Sequence, residues 1–320
     1  MMTRSTILLD LNWDNAQAVD DFKALFPDAV LINWDDASDR DRDLKPVKFA
    51  VVWGPELGLL ARCPNLEVVF SVGAGVDHLF KDPDLPQTPI VRFVDPNLTG
   101  PMVEWVVLQV LMHMRQQRQY DELQRAHEWR ELAQPSAPKF RVGIMGFGEL
   151  GQASATVLKS LGFQLNSWSR SPKEADGVRS FHGLDQLETF LQNTDILISL
   201  LPLTNDTRGL LNKDLINQLS CNGPFGAPVL INAGRGSSQV EADILDALND
   251  GRLRGASLDV FEEEPLPASS PLWDLDNLVI TPHAAAISDP IALARHVSRQ
   301  IDRFENGEEL EHLVDRQKGY

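Results

Sequence analysis

Apolar residues along the chain fall into two alternating rhythms. Short runs of Val, Ile and Leu are separated by longer amphipathic stretches. The short runs predict strands and the longer stretches the helices that cover them, so the chain reads as successive βαβ units around parallel sheets. One group of strands is expected at 6–9, 29–32, 49–53, 68–71 and 90–92. A second is expected at 141–145, 164–168, 195–200, 228–232, 256–260 and 278–281. Between the groups a helical run covers 102–115, with Thr99 as its N-cap and Pro101 near its first turn. Val103, Val106, Val107, Val110, Leu111 and Met114 give it more than one apolar face, which predicts a buried connecting helix. The stretch Gln134-Pro135-Ser136-Ala137-Pro138 reads as a linker. A last helix starts at Asp289-Pro290 and stops at Asn306-Gly307. Spacing alone leaves open whether that helix stays with the second group or returns to the first.

Length and charge narrow the function classes. A chain of 320 residues suggests two domains. The formal charge of −17 repels phosphate, so neither nucleic acid nor an anionic membrane is an expected partner. No apolar run approaches the ~20 residues of a membrane span. The run from Ile7 reaches Asp10 too soon for a secretory signal core. Cys63 and Cys221 are the only cysteines, too few for a disulfide framework or a zinc cluster. A cytoplasmic protein without a metal is the expectation.

The first chemical motif is Gly146-Phe147-Gly148-Glu149-Leu150-Gly151, between a strand and a helix. Gly146 permits the tight turn, Gly148 lets the backbone approach a pyrophosphate, and Gly151 lets the helix pack on the strand. The helix N-terminus offers unpaired N–H groups and a positive dipole end. This context predicts dinucleotide binding through the loop, Glu149 and Leu150 included. The next strand ends in Ser169-Arg170-Ser171-Pro172-Lys173 and has no acid to bond a ribose 2′-hydroxyl. Hydroxyls and two cations there suit a 2′-phosphate, which predicts NADP(H) as the preferred cofactor with NAD(H) as the lesser one.

Three more segments follow strands of the same sheet. They are Asn232-Ala233-Gly234-Arg235-Gly236, the run from Asp259 through Glu262-Glu263-Glu264-Pro265, and Thr281-Pro282-His283. Singly, Arg235 reads as a surface ion-pair partner, Glu264 as part of a solvated acidic run, and His283 as a structural histidine. Together, beside a dinucleotide loop, a guanidinium, a carboxylate and an imidazole suggest charge stabilisation and proton transfer.

These motifs, with Leu201-Pro202-Leu203-Thr204-Asn205-Asp206-Thr207 and Ser71-Val72-Gly73-Ala74-Gly75-Val76-Asp77, occur in the order found in the D-isomer-specific 2-hydroxyacid dehydrogenases. The chain resembles that family over nearly its whole length. Within it the chain looks most like the glyoxylate/hydroxypyruvate reductase A group, a likeness that Pro271-Leu272-Trp273 and the ending Val314-Asp315-Arg316-Gln317-Lys318-Gly319-Tyr320 support.

The resemblance implies two doubly wound parallel-sheet α/β domains. A flavodoxin-like substrate domain would span 1–100 and 288–320, and a Rossmann cofactor domain 101–287. It implies that Arg235 binds the 2-oxoacid carboxylate and carbonyl, and that His283, paired with Glu264, is the proton donor and acceptor. The backbone N–H groups of Gly73 and Ala74 would hold the carboxylate. Trp53 reads equally as a wall of the substrate pocket or a core tryptophan. Leu201, Pro202, Thr207, Ala233, Gly234, Arg235 and His283 would line the cofactor, and Asp259 would contact the nicotinamide amide. A helix over 101–119 would help form a homodimer.

The expected reaction is NADPH-dependent reduction of a small 2-oxoacid, glyoxylate or hydroxypyruvate, to the 2-hydroxyacid. The alternatives are a dehydrogenase for a larger 2-oxoacid and a dinucleotide-sensing interaction protein on the same fold, in the manner of the C-terminal-binding-protein corepressors. Two departures from the family pattern stand out: the missing acid after the second strand, and a long connection at 220–228.

Overall fold

The computed structural model of the chain describes residues 5–12, 16–94 and 96–316. It divides into two compact units: residues up to Leu98 with those from Ser288 onward, and Thr99–Ile287.

The first unit starts with β1 (Thr6–Asp10), α1 (Ala16–Leu25), β2 (Val30–Asn33), β3 (Val47–Val52), β4 (Val68–Ser71) and β5 (Ile90–Arg92). The strands are all parallel in the order β2-β1-β3-β4-β5, the flavodoxin-like arrangement. Side chains alternate between two apolar layers. Ile7, Leu9, Phe49 and Val51 enter one, and Leu8, Ala50 and Val52 enter the other. Burial on both faces is why these strands read as unbroken apolar runs.

The second unit takes most of α2 (Pro96–Met114), then α3 (Gln117–Arg125), β6 (Arg141–Met145), α4 (Glu149–Ser160), β7 (Gln164–Ser169), β8 (Val178–His182), α5 (Leu187–Gln192), β9 (Ile196–Ser199), α6 (Lys213–Gln218), β10 (Val229–Asn232), α7 (Glu241–Asn249), β11 (Gly255–Leu258) and β12 (Leu278–Ile280). Its seven strands are parallel in the order β12-β11-β10-β9-β6-β7-β8. The chain moves outward in opposite directions from β6 and β9. That reversal opens a crevice at the carboxyl ends of the strands, where such sheets bind ligands.

The last helix, α8 (Pro290–Glu305), belongs to the first unit. The Asp289 carboxylate caps it by accepting the Ile291 N–H at 3.1 Å. Leu293, Ala294, Val297 and Ile301 join Ala18, Val19 and Phe22 of α1 in one core. The chain then lies along β5, where Arg316 donates to the carbonyls of Pro86 and Thr88. Of the ending noted above, the last four positions lie outside the described residues.

The structure corrects three sequence expectations. The connecting helix starts at Pro96, so Thr99 is a helical residue and not its N-cap. Pro101 therefore lies within the helix. A proline at the first helical position gives up an N–H that has no partner there, so Pro96 is the better start. The helix also ends before 119: Gln116 adopts φ +59°, and α3 begins after it. Finally, β8 was not anticipated. It is a half-exposed edge strand, Val-Arg-Ser-Phe-His, in which only Phe181 is buried, so it lacks the apolar run of its neighbours. No helix of the described residues is long and apolar enough to cross a membrane.

Candidate active site

The glycine loop joins β6 to α4. Gly146 has φ +93°, and a Cβ there would come within 2.6 Å of the Leu200 carbonyl oxygen, so both its conformation and its packing require glycine. Gly148 is the N-cap of α4, and nothing lies within 4 Å of where its Cβ would be. That open space in front of a helix N-terminus is what a pyrophosphate needs to reach the backbone. Glu149 stands in the first turn of α4, where its carboxylate accepts the Thr99 hydroxyl at 3.3 Å. Leu150 packs against the core beneath.

Ser169 ends β7 and donates to the Ser171 carbonyl at 2.8 Å, which turns the chain sharply and leaves Arg170 and Ser171 exposed at the sheet edge. His182 pairs in register with Ser169 across β8. Sequence reading missed this further basic residue because it missed the strand that carries it. After β9, Leu201 is buried, and the Thr207 hydroxyl donates to the Pro202 carbonyl at 2.7 Å and accepts the Thr204 N–H at 2.8 Å. The Thr207 side chain thus shapes the 202–207 loop.

Two buried polar side chains at adjacent strand ends hold the next two segments. Asn232, the last residue of β10, accepts the Gly234 N–H at 3.0 Å and donates to the Gln239 side chain and the Arg235 carbonyl. These bonds fix the turn through Ala233 and Gly234 from which Arg235 projects, half-buried. Asp259, just past β11, accepts the Thr281 hydroxyl at 2.5 Å and the N–H groups of Ala284 and Ala285 at 2.9 and 3.0 Å. Trp105 of α2 in turn donates to Thr281 at 3.2 Å. The loop so clamped carries His283 at φ +53°, a conformation a side-chain-bearing residue keeps only where its surroundings enforce it.

His283 Nδ1 lies 2.8 Å from Glu264 Oε2. Glu264 Oε1 accepts the Phe261 N–H at 2.9 Å, which orients the carboxylate. Burial raises the proton affinity of this carboxyl. The hydrogen bond and charge of His283, the Phe261 N–H and the Arg235 charge outweigh it and hold the carboxyl below its ordinary value. Arg235, Glu264 and His283, far apart in the chain, therefore form one electrostatic cluster. Of the residues that hold it, Asn232 and Thr281 lie in the quoted segments without having been given a role there, and Trp105 lies in no motif.

In the first unit, Trp53 follows β3 and Gly73-Ala74 follows β4. The Trp53 ring packs on the Phe-rich core layer, lies tilted against His78 with ring centroids 4.6 Å apart, and borders Gly73, so it is both a core residue and a neighbour of the loop. Ala74 is exposed at the loop's tip.

The model of the D-isomer specific 2-hydroxyacid dehydrogenase, NAD binding domain, matches residues 107–285. The chain is 40% identical to the glyoxylate/hydroxypyruvate reductase A of Escherichia fergusonii over 314 residues, 96% of either chain. It is similar in structure, at TM-score 0.95 and 51% identity, to an NADPH-dependent glyoxylate/hydroxypyruvate reductase of Sinorhizobium meliloti solved with NADP and sulfate; the match covers 99% of this chain and 100% of that one. A probable 2-hydroxyacid dehydrogenase of Rhizobium etli, solved with NADP, HEPES and L(+)-tartaric acid, matches over the same shares at TM-score 0.91 and 48% identity.

Proposed function

The chain belongs to the D-isomer specific 2-hydroxyacid dehydrogenase family, and from that premise we propose that it reduces a small 2-oxoacid, glyoxylate or hydroxypyruvate, to the 2-hydroxyacid with NADPH. The observation that carries this reading is the 2.8 Å contact of His283 Nδ1 with Glu264 Oε2, within reach of the Arg235 charge and on the strand edge that bears the glycine loop.

The Gly146–Gly151 loop and the N-terminus of α4 hold the pyrophosphate of the cofactor. Arg170, with Ser169 and Ser171, favours a 2′-phosphate over a bare ribose, so NADP(H) is preferred and NAD(H) is the weaker cofactor. Leu201, Pro202, Thr207, Ala233, Gly234 and Asp259 border the rest of the dinucleotide. When bound, NADPH supplies the hydride.

Arg235 binds the carboxylate with its planar fork and stabilises the negative charge that develops on the carbonyl oxygen. The Gly73 and Ala74 N–H groups, which have no backbone acceptor among the described residues, are donors suited to a carboxylate. His283 gives its proton to the carbonyl oxygen from Nε2, the nitrogen across the ring from Glu264. Glu264 fixes the tautomer and stabilises the positive ring. In the oxidative direction His283 takes the proton back. The net charge of −17 opposes an anionic substrate at long range, so Arg235 must act within about one Debye length, ~8 Å at physiological salt.

We assign 101–287 as the cofactor domain and 1–100 with 288–320 as the substrate domain. A homodimer fits the fully exposed Trp129 and the half-exposed Leu108 of α2, apolar area that a second copy would cover. A monomer in sedimentation would remove that inference. Free thiols at Cys63 and Cys221 suit a reducing cytoplasm.

Loss of NADPH absorbance with glyoxylate and hydroxypyruvate tests the function. Saturable turnover, faster with NADPH than with NADH, is expected. Tight cofactor binding without turnover of any 2-oxoacid would favour a sensing protein, and turnover restricted to longer 2-oxoacids would shift the substrate class.

A further inference from the structure

Ser71 ends β4 and is fully buried beneath the Gly73-Ala74-Gly75 loop. Its hydroxyl lies 3.1 Å from the Gly73 carbonyl oxygen and 3.2 Å from that of Gly75, and donates to both in a three-centre bond. A trans peptide carries its C=O and N–H on opposite sides. Drawing the Gly73 carbonyl down to Ser71 therefore turns the Ala74 N–H away from the strand end. Drawing down the Gly75 carbonyl does the same to the Val76 N–H. Among the described residues, the Gly73 and Ala74 N–H groups have no backbone acceptor.

Trp53 limits the loop from the side. Its ring fills the space that a Cβ on Gly73 would need, at 2.6 Å, and His78 backs the ring. Ser71 below and Trp53 beside leave the loop little room to present its amides differently.

We propose that Ser71 is a positioning residue for the substrate carboxylate: its hydroxyl, by holding the Gly73 and Gly75 carbonyls inward, aims the Ala74 N–H outward and so sets how tightly any 2-oxoacid binds. This rests on the reading of Gly73-Ala74 as the carboxylate loop. Ser71 touches neither substrate nor cofactor. Its removal loosens an interaction made alike in ground and transition states, which raises KM and spares kcat.

The test is Ser71→Ala, with Ser71→Thr as the variant that keeps the hydroxyl. For Ser71→Ala, the KM for glyoxylate and hydroxypyruvate and the inhibition constant for oxamate should rise together by about tenfold, the scale of one lost hydrogen bond. The kcat and the KM for NADPH should stay near wild type, the Tm should fall by no more than the few degrees that one lost hydrogen bond costs, and Ser71→Thr should restore both the oxoacid KM and the Tm. An unchanged KM in Ser71→Ala overturns the proposal. So does an equal rise in both variants, or a fall in kcat and Tm that matches the rise in KM. If the wild-type protein reduces neither oxoacid, the functional reading fails instead. Calorimetric binding of oxamate to the NADPH-loaded protein then decides on Ser71: a tenfold weaker Kd in Ser71→Ala supports the role and equal values end it.

Discussion

The His283 N–H donates to the Asp259 carbonyl at 2.7 Å, while the Asp259 carboxylate gathers the Thr281 hydroxyl and the N–H groups of Ala284 and Ala285. One buried aspartate thus ties down the loop on both sides of the imidazole. Asn at 259 has a single carboxamide oxygen for these donors and turns an NH2 toward the rest. Asp259→Asn should cost about 1–3 kcal/mol of stability, the scale of a buried group left unpaired. It should also lower kcat through a displaced His283. Thermal melting and steady-state kinetics read the two effects, and a stable, fully active variant would show that the clamp is dispensable.

His283→Ala removes the proposed proton donor and leaves the glycine loop intact. Turnover should fall by about 10²–10⁴, the range for general acid–base groups, with the KM for NADPH little changed. Arg235→Lys keeps a positive charge but loses the planar fork. It should raise the oxoacid KM and lower kcat together, whereas a purely electrostatic role would leave the lysine variant near wild type.

The depressed proton affinity of Glu264 has a pH signature. A carboxyl held below its ordinary value of 4.5 stabilises the fold above that pH, and the contribution is lost as pH falls through the folded value. The Tm of wild type should therefore exceed that of Glu264→Gln at about pH 5.5, where the carboxyl is charged, as linkage requires. The margin should shrink as the pH drops below 4.5. A gap that widens toward acid pH would contradict the ion-paired state of Glu264.

Arg170 is exposed at the end of β7, where a carboxylate would repel a 2′-phosphate and accept from a 2′-hydroxyl. Arg170→Asp should lower the ratio of kcat/KM for NADPH to that for NADH by at least about tenfold, the scale of one charge-assisted hydrogen bond. An unchanged ratio would move the discrimination elsewhere on this edge, with His182 the next residue to substitute.

Much of this architecture was legible along the chain because buried parallel strands leave an unbroken apolar signature. The runs at Ile7–Leu9 and Val142–Met145 could be found without coordinates for that reason. The glycine loop was equally plain, since a pyrophosphate site needs glycines at fixed local spacing. Edge strand β8 escaped notice because one side of it faces water and its apolar pattern is thin. The start of α2 was misplaced because Thr99 and Pro101 imitate a helix start that Pro96 already provides. The break after it depends on Gln116 at positive φ, which no residue type there announces.

Local chemistry along the chain was thus enough to read two α/β sheets and a glycine loop between strand and helix, while the proposed roles of Arg235, Glu264 and His283 came from the family resemblance. Whether Arg235, Glu264 and His283 meet is a matter of strand order, because β10, β11 and β12 become neighbours through long-range pairing. Their orientation depends on Asn232, Asp259 and Thr281, while in the other unit the Gly73-Ala74-Gly75 loop depends on Ser71. These are ordinary polar residues whose importance arises from burial at a strand end, where each polar atom must find a partner and thereby fixes the loop above it.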